Sequence, residues 1–74
     1  MIIEVNGAFR ARKEISPRVS MNIEGEMKVK EIVDILGIEN VGYAIFFIND
    51  RQSGLEDIVS NNDKLTILPL IAGG

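Results

Sequence analysis

A chain of 74 residues, 46% hydrophobic and with a net charge of −3, makes one small domain; at that size only about 60% of the unfolded surface is buried on folding. It holds no cysteine and no histidine, which excludes disulfides, thiolate nucleophiles, imidazole bases and Cys/His zinc sites together. The charge is uneven: residues 1–37 are balanced, whereas residues 38–74 set Arg51 and Lys64 against Glu39, Asp50, Glu56, Asp57 and Asp63.

Met1 to Val5 is rich in β-branched residues, with Ile3 and Val5 on one face and Ile2 and Glu4 on the other. A strand is expected there, ending at the turn-forming pair Asn6-Gly7. Ala8 to Ile15 fits either a helical turn or a loose loop. Its Arg10, Arg12 and Lys13, with Arg18 beyond, enclose Glu14 and read as a solvated turn. Nucleic-acid binding needs a broader basic stripe, so none is expected. Pro17 drives Ser16 toward extended backbone. Val19, Met21 and Ile23 then alternate with Ser20, Asn22 and Glu24, as in a half-buried strand. The two strands should form an antiparallel hairpin with a wide loop.

Gly25 breaks the second strand. Val29, Ile32, Val33 and Leu36 follow at helical spacing and form one apolar stripe, opposed by Lys28, Lys30, Glu31 and Asp34. Gly37 supplies a left-handed residue to end the helix, and Ile38 falls where the chain commonly folds back on the last turn. No Ser, Thr, Asp or Asn stands close before Val29 to act as N-cap, which leaves Glu26 as the one favourable charge near the helix start. Tyr43 to Ile48 is apolar on both faces and reads as an interior strand or as one whose second face meets a partner. It is far too short to span a membrane, and the N-terminus lacks the basic region and cleavage site of a signal peptide, so a cytoplasmic protein is expected. Asn49-Asp50-Arg51 turns the chain; Gln52 to Ile58 gives a short strand or turn anchored by Leu55 and Ile58. Ser60 to Asp63 turns it again. Leu65 to Leu68 is the last strand, and Pro69, which cannot donate to a ladder, marks the limit of sheet pairing.

That order suggests an α+β β-grasp (ubiquitin-like) roll: a mixed sheet of four to five strands on one main helix, its last strand parallel to its first. The domain spans residues 1–68, and residues 69–74 form a flexible C-terminal tail. Phe46 and Phe47, adjacent on one strand, point to opposite faces; one should pack beneath the helix while the other can anchor a partner on the open face. The acidic pair Glu56-Asp57 should diverge rather than form a catalytic dyad, and no ligand-sized pocket is expected in so small a domain. The chain is therefore expected to act as a substrate or carrier, not as an enzyme.

The tail reads Pro69-Leu70-Ile71-Ala72-Gly73-Gly74. Two residues without Cβ make the thinnest backbone available, able to follow whatever path a narrow channel imposes. The carboxylate of Gly74 is the carbonyl group that such a tail would present deep in another protein. Leu70 and Ile71 would either fold back on the sheet edge or be buried on docking, where each contributes roughly 1.5–3 kcal/mol if fully covered.

Together, Asn62-Asp63-Lys64-Leu65, Ile67-Leu68-Pro69 and Ile71-Ala72-Gly73-Gly74 resemble the ubiquitin-like sulfur-carrier proteins. These comprise the molybdopterin synthase small subunit and the thiamine-biosynthesis sulfur carrier. The likeness covers nearly the whole chain in length and element order. It implies that Gly74 is adenylated with ATP and Mg²⁺ held by an activating enzyme of the ubiquitin-activating type. A sulfur-donor enzyme then converts it to a thiocarboxylate. The acceptor is a molybdopterin synthase large subunit or a thiazole synthase. Gly73, Ala72, Ile71, Leu70 and Pro69 would be held by the partner, with Phe46 and Phe47 as further candidate contacts; the chain itself would bind no cofactor or metal. The molybdopterin branch usually shows two prolines where this chain has Pro69-Leu70, and the thiamine branch a shorter first loop than Ala8 to Pro17. The loop and Pro69 favour the molybdopterin type.

Two other readings share the fold. A ubiquitin-like modifier would join Gly74 to target lysines, and a plain interaction module would carry the glycines by accident.

Overall fold

The computed structural model describes residues 1–6, 16–39 and 41–70. The Ala8 to Ile15 segment and Ile71, Ala72, Gly73 and Gly74 lie outside the described residues. Strands β1 (Ile2–Val5), β2 (Arg18–Ser20) and β3 (Glu26–Lys28) precede helix α1 (Val29–Leu36). A 3-10 turn (Val41–Tyr43) then leads into β4 (Ala44–Ile48), β5 (Arg51–Ser53), β6 (Ile58–Ser60) and β7 (Lys64–Pro69). The main sheet has the order β2-β1-β7-β4-β5, and β3 pairs with β6 separately. β1 is antiparallel to β2 and parallel to β7, as expected, while β4 runs antiparallel to both β7 and β5. The molecule is thus a small α+β domain with a mixed five-stranded sheet and one packed helix, compatible with a β-grasp roll.

The core is the layer between sheet and helix. Ile3 and Val5, Leu65 and Ile67, and Phe46 and Ile48 come from three adjacent strands and meet Val29, Ile32 and Val33 of α1. Strand registry explains the match. Ile3 lies opposite Leu65, Val5 opposite Ile67, and Phe46 opposite Ile67, so period-2 alternation delivers all of them to one face. Each such side chain contributes roughly 1.5–3 kcal/mol on full burial, and with no cysteine in the chain no disulfide adds to it.

The helix ends as the sequence implies and begins differently. Gly37 is left-handed (φ 70°), and Ile38 is buried, its N–H donating to the Val33 carbonyl at 3.2 Å. At the start, Glu26 belongs to β3 rather than to the helix dipole. The unpaired amides of the first turn are instead taken up elsewhere. Val29 N donates to the Asp57 carbonyl and Lys30 N to the Leu55 carbonyl, both at 2.9 Å. Glu31 Oε1 accepts from Lys28 N at 3.0 Å. The chain between β5 and β6 therefore serves as the cap, tightened by Glu56 against Lys30 (2.8 Å) and Lys28 (3.3 Å).

Three other details depart from expectation. The alternating burial from Val19 to Ile23 is present, but ladder pairing covers only Arg18–Ser20. Ile58 is exposed, and Val59 is the buried anchor of β6. Tyr43 belongs to the 3-10 turn, not to the strand.

Pro69 is the last residue of β7, yet pairing extends one step past it. Leu70 N donates to the Tyr43 carbonyl at 2.6 Å. Amides alternate sides along a strand, so Pro69 would aim its missing N–H toward β1. That strand ends at Val5, opposite Ile67, and the absent donor is not needed there.

Candidate functional site

The C-terminal end of β7 positions the candidate site. β7 lies in the middle of the sheet, held by β1 on one side and β4 on the other. Its exit is fixed by the Leu70–Tyr43 hydrogen bond. Pro69 is half-buried, while Leu70 is 57% exposed. Leu70 therefore does not fold back into a covering contact. The remaining tail positions, Ile71, Ala72, Gly73 and Gly74, fall outside the described residues.

The two phenylalanines divide between faces. Phe46 is 4% exposed in the core and offers a partner no surface, which removes it from the contact residues. Phe47 alternates to the opposite face, between Thr66 of β7 and Gln52 of β5, and is half-buried. Ile45 and Leu68 form the next pair along that open face. Neither stood out in the sequence as a candidate, because an apolar residue in a strand carries no mark of which face it takes until register is known.

Charge bounds the same face. Glu4 meets Lys64 at 2.9 Å and Arg18 at 3.4 Å. The Lys64 ammonium, by direct hydrogen bond, holds the Glu4 carboxyl below its ordinary value. Glu56 and Asp57 have separate tasks, as their adjacency implied: Glu56 pairs with the two lysines, and Asp57 Oδ2 accepts from Gly54 N at 2.6 Å. Both are consumed in structure. Among the described residues no group of three acidic side chains is placed to hold a metal, and no helix is long and apolar enough to cross a membrane.

Shallow clefts of ligand-like volume exist, contrary to the expectation of none. One, of about 420 Å³, lies at the end of α1 over Val33, Ile38, Val41 and Leu55. Another, of about 520 Å³, adjoins Asn49 and Asp63. Both are open depressions between surface elements. A small domain cannot enclose a cavity, but its turns can leave surface hollows.

No protein-family model matches the chain, and no curated protein or solved structure is significantly similar to it.

Proposed function

We propose that the chain is a β-grasp sulfur carrier whose Gly74 carboxylate is adenylated and then converted to a thiocarboxylate for cofactor biosynthesis, with molybdopterin favoured over the thiamine thiazole. A carboxylate resists nucleophiles because it has no adequate leaving group. Joining it to AMP, with release of pyrophosphate, provides one. A sulfide-level sulfur nucleophile delivered by a donor enzyme then displaces AMP at the carbonyl carbon, leaving the thiocarboxylate. An activating enzyme holds ATP and Mg²⁺, and an acceptor synthase takes the sulfur; this chain supplies the carbonyl carbon. The setting is cytoplasmic.

The observation that carries this reading is the exit of β7. A central strand, clamped on both sides, ends at Pro69-Leu70 just before Ile71-Ala72-Gly73-Gly74. On this reading the reacting carbonyl belongs to the residue four positions beyond the last one held by the sheet. Phe47, Ile45 and Leu68 on the open face give a partner an apolar surface beside that exit.

Mass spectrometry of protein isolated from its native cell tests the assignment. Replacement of one oxygen by sulfur at Gly74 is the expected result. Lysine adducts of the tail would identify a modifier instead. A chain unmodified when the biosynthetic pathway is running would leave only the interaction module.

A further inference from the structure

The tether at Leu70 has a consequence for docking. Its amide is held by the Tyr43 carbonyl at 2.6 Å, so the main chain is anchored to the sheet as far as residue 70, and four Cα steps separate Leu70 from Gly74. Fully extended, they span at most about 14 Å. A centre that reacts with the Gly74 carbonyl therefore lies within that distance of Leu70. The surface surrounding that centre must come up to the root of the stalk.

What it meets there is apolar and exposed. The described residues include five large exposed hydrophobic side chains: Ile35, Tyr43, Ile58, Leu68 and Leu70. Three of them belong to this root: Tyr43 at 71%, Leu70 at 57% and Leu68 at 37% exposure. Extending the β4–β7 register by one step from Ala44 opposite Pro69 sets Tyr43 opposite Leu70. Tyrosine combines a large rigid apolar body with few rotatable bonds, which makes it a frequent anchor in interfaces. The Tyr43 side chain is largely exposed and is not part of the buried core among the described residues. Its contribution to the tether is the backbone carbonyl.

We propose that Tyr43 is the positioning residue by which the adenylating enzyme grips this chain, its ring entering an apolar socket beside the channel that takes the stalk. The inference rests on the carrier reading and adds to it the residue that sets affinity. Because the ring lies at the root and not at the reacting carbon, it governs how tightly the chain docks and leaves the adenylation step itself unchanged.

The test is ATP–pyrophosphate exchange catalysed by the ubiquitin-activating-type enzyme of the source organism, with the concentration of this chain varied. Exchange with the wild-type chain is expected, and its absence would overturn the carrier reading together with this one. Tyr43→Ala is expected to raise KM about tenfold, the effect of losing one interface anchor, with kcat unchanged. Tyr43→Phe should restore KM to within about twofold, because the socket reads the ring. Ile35→Ala, which removes a comparably exposed side chain from α1, should leave KM as it was. Protection of the Leu70 amide from hydrogen exchange checks the tether in each variant, and it should persist because the acceptor is main chain. An unchanged KM in Tyr43→Ala, or an equal rise in Ile35→Ala, overturns the proposal while leaving the carrier reading intact.

Discussion

Asn61 grips the main chain of Ile23 by both of its hydrogen-bonding groups: its side-chain oxygen accepts from Ile23 N at 2.8 Å, and its amide nitrogen donates to the Ile23 carbonyl. The two residues belong to different parts of the chain. Ile23 follows β2, where ladder pairing has ceased, and Asn61 sits in the turn between β6 and β7. One amide side chain thus substitutes for a strand partner and keeps the Ile23 side chain in the core.

Removing that grip leaves a partly buried N–H and C=O without partners. Asn61→Ala should therefore cost about 1–3 kcal/mol. The expected signature in urea is a lower midpoint at unchanged slope. A midpoint equal to wild type would show that water replaces the amide at no cost.

The two phenylalanines should separate cleanly. Phe46→Ala opens a cavity in a core that has little to spare, at about 3–5 kcal/mol, enough to unfold much of a domain this small. Phe47, half-buried on the open face, should cost clearly less when cut back to alanine. Thermal unfolding of the two variants side by side decides the matter. Equal losses would mean that the open face is packed as the core is.

Much of this could be read from the residues, and the misses have a common cause. The α1 stripe from Val29 to Leu36, with Gly37 behind it, is local: spacing and a left-handed glycine define the element wherever it sits. Parallel pairing of the first and last strands followed from element order. β3 was not legible, because Glu26-Met27-Lys28 has no apolar alternation and exists through its pairing with Ile58–Ser60. The same pairing turns Val59 inward and Ile58 outward, reversing the face hydrophobicity alone suggested. The helix N-terminus is likewise completed by Leu55 and Asp57, about two dozen residues downstream. At the candidate site, composition alone singled out the tail residues as candidates. Tyr43 did not, since its partner is a backbone amide.

Asp63 should give folding an acid limb. Its carboxylate accepts from Ser60 N at 2.9 Å and Asn49 Nδ2 at 3.0 Å, and these bonds, that from Ser60 first, hold it below the ordinary carboxylate value. A group depressed on folding stabilises fully above its unfolded pKa of about 3.9. That contribution drains away as pH falls through this value toward the lower folded one. Wild type should accordingly lose stability more steeply than Asp63→Asn as the pH is lowered from about 5. Parallel urea midpoints over that range would show that the ordinary and folded values coincide.

Gly37 tests the helix stop. Its left-handed backbone (φ 70°) suits glycine and opposes a Cβ, so Gly37→Ala should cost roughly 1–2 kcal/mol. Gly37→Asn should recover part of the loss, because asparagine tolerates the left-handed region better than other residues with a side chain. If alanine and asparagine were equivalent in a denaturant series, the strain account of this position would fail.

Deleting Gly74 separates fold from function most sharply. The core, ladders and helix caps found among the described residues lie within residues up to Leu70, so the urea midpoint should not move. The terminal carboxylate, however, would retreat by one residue, about 3.5 Å. A displacement of even about 1 Å can cost a hundredfold in rate where a reacting group must be held close to its target. Adenylation of the truncated chain should fall at least that far, read as pyrophosphate exchange with the same activating enzyme. Undiminished exchange from a chain ending at Gly73 would mean that the enzyme does not gauge the stalk from its root, and the length argument made from the Leu70 tether would fall with it.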